Sequence, residues 1–150
     1  MTFIQELTTA GRSTPLSRYI VGNGVLYLVA GVVVLAWPQV TYLLGADEFV
    51  ADESGLVRVL GFVMMIIGWF YVMGGRTGAT SFGLATIVDR AVVPFALCGI
   101  AATGAVDWGL ILPFAILDPV LAVGAFLIWR RTSSEFQESR LRGTRDTPLY

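Results

Sequence analysis

Four long apolar stretches, separated by short polar connections, dominate the hydrophobic pattern of the chain. They run over residues 19–37, 56–75, 84–106 and 109–129. Each has about the 20 residues that an α-helix needs to cross a hydrocarbon core of roughly 30 Å. The pattern therefore predicts an all-α fold, a polytopic membrane protein built as a four-transmembrane-helix bundle.

Composition supports a membrane as the solvent and leaves room for one domain. Of the 150 residues, 55% are hydrophobic, whereas apolar residues including glycine make up roughly 45–50% of soluble domains. We expect a cytoplasmic N-terminal segment at 1–18, a transmembrane domain at 19–129 and a polar cytoplasmic tail at 130–150. The N-terminal segment would be either an uncommitted tail or an interfacial helix built on Phe3, Ile4 and Leu7.

Arginines flank one side of the predicted spans and acids flank the other. Basic residues precede the first span, separate the second from the third and follow the fourth: Arg12, Arg18, Arg76, Arg130, Arg131, Arg140, Arg142 and Arg145. Acidic residues occupy the two remaining connections: Asp47, Glu48, Asp52, Glu53 and Asp107. Because cytoplasmic loops collect arginine, we expect both termini in the cytoplasm and the spans in the cell inner (plasma) membrane.

Small residues recur two helical turns apart and predict where the helices meet. Gly24 and Gly31 have this spacing in the first span, and Gly61 and Gly68 repeat it in the second. Helices in lipid pack closely at small residues, and this spacing favours a left-handed bundle. In the fourth span Asp118 shares a face with three alanines, Ala115, Ala122 and Ala125.

Asp118, near the middle of the fourth span, is the first candidate functional residue. An ionised carboxylate there costs roughly 2.5–3.5 kcal/mol unless it is paired or protonated. Pro113 and Pro119 each leave a carbonyl one turn back without its amide partner. One interpretation is an ion, proton or substrate site, and the other is a paired structural acid that sets helix register. Asp118 and Arg58 should both face protein rather than lipid.

Asp89 and Arg90 lie side by side in the third span, about 100° apart around the helix axis. Arg90 would either reach towards the inner interface or contact Asp118 across the bundle. Asp89 would pair with Arg76 or Arg18. These charges form either a set of structural ion pairs or a charged relay, whose members would be Asp89, Arg90, Asp118 and Arg58.

Two further polar residues complete the candidate intramembrane binding set. Arg58 begins the second span, where it would contact lipid headgroups or bind an anionic lipid or substrate. Asn23 shares a face with Tyr27 and is expected to form a cross-helix hydrogen bond. We expect Tyr19, Trp69 and Tyr71 to belong to the belt of aromatic residues at the inner membrane interface.

Missing residue types exclude several chemistries. All ten basic residues are arginine and the chain has no histidine, which excludes a retinal Schiff base on lysine and a bis-histidine haem. Cys98 is the single cysteine and is expected to be a packing residue. We predict no catalytic residue, metal site, cofactor or nucleic-acid partner.

The motif Arg58-Val-Leu-Gly61 is followed by Gly68 and Tyr71 in the second span. With Arg90 and Asp118 in the later spans, this layout resembles small bacterial four-helix membrane proteins of the DoxX-like type over residues 18 to 130. The resemblance implies a compact bundle, often accessory to a membrane redox or transport system. It implies no catalytic residues.

Three classes of function remain open. The first is a membrane accessory or binding protein surrounded by lipid, packed as a homo-oligomer or beside a larger membrane partner. The second is a small proton- or ion-coupled transporter that uses Asp118. The third is an enzyme acting on a lipid or quinone, which the absence of an activated nucleophile disfavours.

Overall fold

Four long helices form the described part of the protein. The structure is a computed structural model that describes residues 11, 13–50, 53–104, 106 and 108–145, with 135–145 described by their backbone alone. The helices are α1 (Pro15–Ala36), α2 (Glu53–Arg76), α3 (Thr80–Ala102) and α4 (Trp108–Arg145), and a 3-10 helix (Pro38–Leu44) follows α1. All four long helices, α4 through its part Trp108–Ser134, are long and apolar enough to cross a membrane. The predicted all-α bundle of four membrane-spanning helices is confirmed.

Successive helices run in opposite directions, so the bundle has two distinct ends. We call the end that holds the start of α1 and the α2–α3 connection the terminal end. The opposite end, with the 3-10 helix and the start of α4, is the loop end. Gly11 at the terminal end donates its N–H to the Arg76 carbonyl at 2.8 Å.

Local sequence sets both ends of α1. Thr14 and Ser17 form a capping box, in which the Ser17 amide donates to the Thr14 hydroxyl at 3.0 Å and the Thr14 amide donates to the Ser17 hydroxyl at 2.8 Å. Pro15 at the first helical position suits this start, because its missing N–H would have no helical partner there. At the other end, Pro38 disfavours helical backbone at Trp37, which leaves the helix with φ −135°.

Several predicted boundaries differ from the structure. Three helices begin three or four residues earlier than the predicted spans, at Pro15, Glu53 and Thr80. The third span was expected at 84–106, but the helix ends at Ala102 and Gly104 adopts a positive φ of 75°. A left-handed residue stops a helix even inside an apolar run. The fourth span was expected to end at residue 129, but the backbone of α4 remains helical through Arg145.

Some sequence predictions lie outside the described residues. They include the interfacial helix on Phe3, Ile4 and Leu7 and the positions of Arg12, Asp52 and Asp107. The described backbone includes Arg140, Arg142 and Arg145 without their side chains.

Glycines form the tightest helix contact, between α1 and α2. A Cβ placed on Gly24 would lie 2.7 Å from the Gly68 carbonyl oxygen, and one on Gly31 would lie 2.6 Å from that of Gly61. These are the four glycines whose spacing predicted a helix seam. Their close approach brings the two backbones together as packing in lipid requires.

The remaining helices pack as a second pair against the first. Contact is extensive between α1 and α2 and between α3 and α4, whereas α2 and α3 touch at few positions. Helix α1 joins the pairs, for example through the Tyr19 hydroxyl, which donates to the Leu121 carbonyl at 3.3 Å. At the terminal end a small core of buried side chains closes the bundle: Leu16, Ile20, Tyr71 and Ala125. The sparse contact between α2 and α3 leaves a groove along the bundle.

Replacing Gly68 by alanine should destabilise the fold. The new methyl group would lie 2.7 Å from the Gly24 carbonyl oxygen, so the helices would have to separate, at a cost of about 1–3 kcal/mol. Gly22→Ala is the matched control, since a Cβ there meets nothing within 4 Å. Unfolding of detergent-solubilised protein by SDS titration, followed by circular dichroism, measures both. Equal stability of the two variants would contradict the glycine seam.

Candidate functional site

Five side chains from all four helices meet inside the bundle. We call this group the central cluster, and its members are Tyr27 on α1, Tyr71 on α2, Asp89 and Arg90 on α3 and Asp118 on α4. Tyr27, Arg90 and Asp118 each lie near the midpoint of their membrane-spanning segment. The cluster therefore lies deep within the apolar length of the helices.

The guanidinium group of Arg90 occupies the middle of the central cluster. Arg90 is 2% exposed, and its Nη1 lies 3.8 Å from Oδ1 of Asp118. Its Cζ also lies 4.8 Å from the ring centre of Tyr71 and 5.2 Å from that of Tyr27. Both tyrosine rings can thus stabilise the cation through their π-faces. Nη1 and Nη2 have no hydrogen-bond acceptor among the described residues.

Each carboxylate of the central cluster accepts a hydrogen bond from a tyrosine. The Tyr27 hydroxyl donates to Oδ1 of Asp118, which is buried. The Tyr71 hydroxyl donates to Oδ2 of Asp89 at 2.8 Å. The two rings meet edge to face, with centroids 6.0 Å apart. The tyrosines therefore link both acids and the arginine into one network.

The two acids differ in their charge balance. Asp118 has the buried counter-charge of Arg90. Asp89 has an exposed side chain and takes part in no ion pair between described residues. An unpaired charge at such a depth costs roughly 2.5–3.5 kcal/mol. When both acids are ionised, two negative charges and one positive charge leave the cluster with one negative charge.

Helical spacing explains how these residues come together. Tyr71 is three residues after Gly68 and seven after Met64, both buried, and therefore lies on the glycine face of α2. On α3, Arg90 lies between buried Thr86 and Pro94, four residues from each. Pro94 lacks an N–H, so the Arg90 carbonyl receives no bond from that position.

Two cavities adjoin the central cluster and share four wall residues, Tyr27, Ile67, Val93 and Asp118. The groove cavity, of about 290 Å³, lies between α2 and α3 and is also lined by Phe70, Tyr71 and Asp89. The apolar cavity, of about 210 Å³, extends towards the loop end among aliphatic side chains and Phe114. Asp118 and Tyr27 thus line both cavities.

A larger pocket of about 410 Å³ lies at the loop end, away from the central cluster. Its polar wall contains Asp47, Glu48 and Glu53. No group of three or more metal-binding side chains occurs among the described residues. We place the candidate site at the groove cavity because buried charges and aromatic rings converge there.

The structure brings three of the five predicted site residues together. Asp89, Arg90 and Asp118 belong to the central cluster, and Arg90 contacts Asp118, as one of the two alternatives predicted. Asp89 was predicted to pair with Arg76 or Arg18. In the structure it accepts a hydrogen bond from Tyr71 instead. Arg18 itself donates to the Ser13 hydroxyl at 2.9 Å.

Arg58 departs from its prediction. Its side chain is exposed rather than packed on the glycine face, and it donates to the Leu35 carbonyl at 2.5 Å at the C-terminus of α1. Leu35 is eight residues from Tyr27, about 12 Å along the helix. The four-residue relay is therefore wrong in including Arg58, which instead binds carbonyls that the helix end leaves unpaired.

The other two polar predictions have different outcomes. Asn23 is buried on the face of α1 that carries Tyr27, and its cross-helix hydrogen bond stays a prediction. Tyr71 was expected at the inner interface but is 8% exposed and belongs to the central cluster. Its spacing from Gly68 was the signal that could have placed it there.

Comparisons of the sequence and the fold with protein-family models, curated proteins and solved structures find no match. The candidate site is therefore interpreted from its own geometry.

The effects of removing the charges of Arg90 and Asp118 on stability should be coupled rather than additive. Asp118→Asn leaves a buried guanidinium without its counter-charge, which costs about 3–5 kcal/mol. The double variant Arg90→Gln with Asp118→Asn should lose less stability than the sum of the two single changes. Unfolding free energies in detergent measure this coupling, with Glu48→Gln as a control at an exposed acid. Simple additivity would contradict the ion pair.

Proposed function

We propose that this chain is an integral membrane binding protein that holds a small amphipathic molecule in the groove cavity. The observation that carries this proposal is the juxtaposition of an apolar groove and a polar cluster within the membrane-spanning length. Polar and ionisable residues at such a depth are expensive and typically functional. The described residues suggest binding rather than catalysis, because no activated nucleophile accompanies the acids.

The shape of the groove favours access from the bilayer. Helices α2 and α3 make few contacts, and Phe70 beside the cavity is 63% exposed. A ligand dissolved in lipid would enter sideways between these helices without crossing the tight α1–α2 seam. Its apolar part would contact Ile67, Phe70 and Val93, and its polar part would meet the central cluster.

The same proposal includes an assembly and an orientation. Apolar side chains that do not line the groove, such as Val120 and Val123 on α4, are exposed and support packing as a homo-oligomer or beside a larger membrane partner. The arginines at the terminal end, among them Arg18, Arg76 and Arg130, support cytoplasmic termini in the inner (plasma) membrane. Protease accessibility of tags at the two termini in sealed spheroplasts tests the orientation, since cleavage of either tag from outside would contradict it.

Filling the groove cavity should remove the bound molecule. Val93→Trp would occupy space shared by both cavities. Val92→Trp is the matched control, because the neighbouring residue is 59% exposed and lines neither cavity. Native mass spectrometry of protein purified in mild detergent should show a small-molecule adduct on wild type and Val92→Trp, and its loss in Val93→Trp.

Circular dichroism and gel filtration would establish that both tryptophan variants fold. Wild-type protein without any adduct, or equal adducts on both variants, would contradict binding in the groove cavity.

A second candidate function, proton- or ion-coupled transport, is favoured by the presence of Asp118 in the walls of two cavities. A carboxylate in contact with both cavities could pass a proton or ion from one to the other. Proton flux into liposomes that enclose a pH-sensitive dye tests this function, with wild type compared with Asp118→Asn reconstituted to equal amounts. Carrier function predicts loss of flux in the variant, whereas equal flux excludes a role for Asp118.

A further inference from the structure

Charge balance in the groove cavity indicates what kind of molecule it would hold. Asp118 is neutralised by Arg90 at 3.8 Å, so this pair contributes little net charge. The remaining charged group in the cavity wall is Asp89, whose exposed carboxylate accepts one hydrogen bond from the neutral Tyr71 hydroxyl. The cavity therefore presents one uncompensated negative charge to its contents.

The depth of Asp89 makes this charge difficult for water to screen. Asp89 lies nine residues after Thr80, the first residue of α3, which corresponds to about 14 Å along the helix axis. Its neighbours in the cavity wall are apolar or aromatic, apart from Asp118, which is paired with Arg90. In such surroundings a positive charge close to the carboxylate would replace the missing water.

Aromatic rings add a second attraction for the same sign of charge. Tyr27, Phe70 and Tyr71 line the groove cavity together with Asp89. The π-face of an aromatic ring attracts a cation, and organic cations without N–H donors are bound this way. The oxygen atoms of the wall already take part in the two tyrosine–carboxylate hydrogen bonds. The other wall side chains, Ile67, Phe70 and Val93, are apolar, which favours a cation that carries its own apolar surface.

We propose that the groove cavity binds a lipophilic organic cation, with Asp89 as its counter-charge. This inference rests on the proposed binding function and specifies the class of ligand. An anion would meet the uncompensated carboxylate, and a neutral molecule would leave that charge unpaired. The cation would enter from the bilayer between α2 and α3 and place its charge between Asp89 and the aromatic rings.

The experiment uses tetraphenylphosphonium as the probe, with tetraphenylborate as a probe of similar size and opposite charge. Equilibrium dialysis against the full-length protein in detergent measures binding of each. We expect saturable binding of tetraphenylphosphonium and none of tetraphenylborate. Saturable binding of the anion at the expense of the cation would overturn the inference, and this comparison requires no variant.

Substitutions then assign the charge to Asp89. Asp89→Asn keeps an acceptor for the Tyr71 hydroxyl and should weaken tetraphenylphosphonium binding at least tenfold, whereas Asp89→Glu should restore most of it. Glu48→Gln removes an acid that does not line the groove cavity and should leave binding unchanged. Wild-type affinity in Asp89→Asn would overturn the role of Asp89.

Failure of this inference can be distinguished from failure of the proposed function. If neither probe binds, but Val93→Trp lacks a neutral molecule that the wild type retains, the cavity is a binding site and the cation inference is overturned. If neither probe binds and no molecule depends on Val93, both are overturned.

Discussion

The buried guanidinium of Arg90 is the constraint on which the interior of this protein depends. A cation in an apolar bundle needs a counter-charge and polarisable neighbours, and three different helices supply them. Asp118 comes from α4 at 3.8 Å, while the rings of Tyr27 and Tyr71 come from α1 and α2. The contacts that stabilise the Arg90 guanidinium therefore determine how the two helix pairs pack against each other.

The glycine seam and the central cluster hold different parts of the bundle together. Between α1 and α2, close backbone contact at Gly24, Gly31, Gly61 and Gly68 holds the pair together. The second pair, α3 and α4, is joined to the first through α1 and through the cluster. The direct α2–α3 contact is sparse, and the groove cavity is its consequence. Binding would thus occur at the least constrained face of the bundle.

The sequence predicted the bundle well because hydrophobic length and glycine spacing are local properties. The four apolar runs were sufficient to predict the four helices. The paired glycines were sufficient to predict the α1–α2 seam. The end of α3 was missed because Gly104 stops the helix by backbone conformation inside a run that stays apolar. The helical continuation of α4 was missed because hydrophobic length marks only the apolar part of a helix, and the sequence is polar beyond residue 130.

The candidate site could be predicted only in part, because its contacts cross between helices. Depth and helical face indicated that Asp118 and Arg90 were candidates to meet. Asp89 is bound by Tyr71, which lies on a different helix. The spacing of residues along α3 gives no information about such a partner. Arg58 was misplaced because an arginine beside the glycine face can turn to the α1 carbonyls instead.

The pairing of Arg90 with Asp118 in a bilayer is the most direct test of this account. Solid-state NMR of protein in lipid, with ¹⁵N in the arginine side chains and ¹³C in the aspartate carboxylates, measures the dipolar coupling between the two groups. The account predicts a coupling assigned to Arg90 and Asp118 that corresponds to contact, as in the 3.8 Å separation of Nη1 and Oδ1 seen here. A folded protein in which this coupling is absent would contradict it.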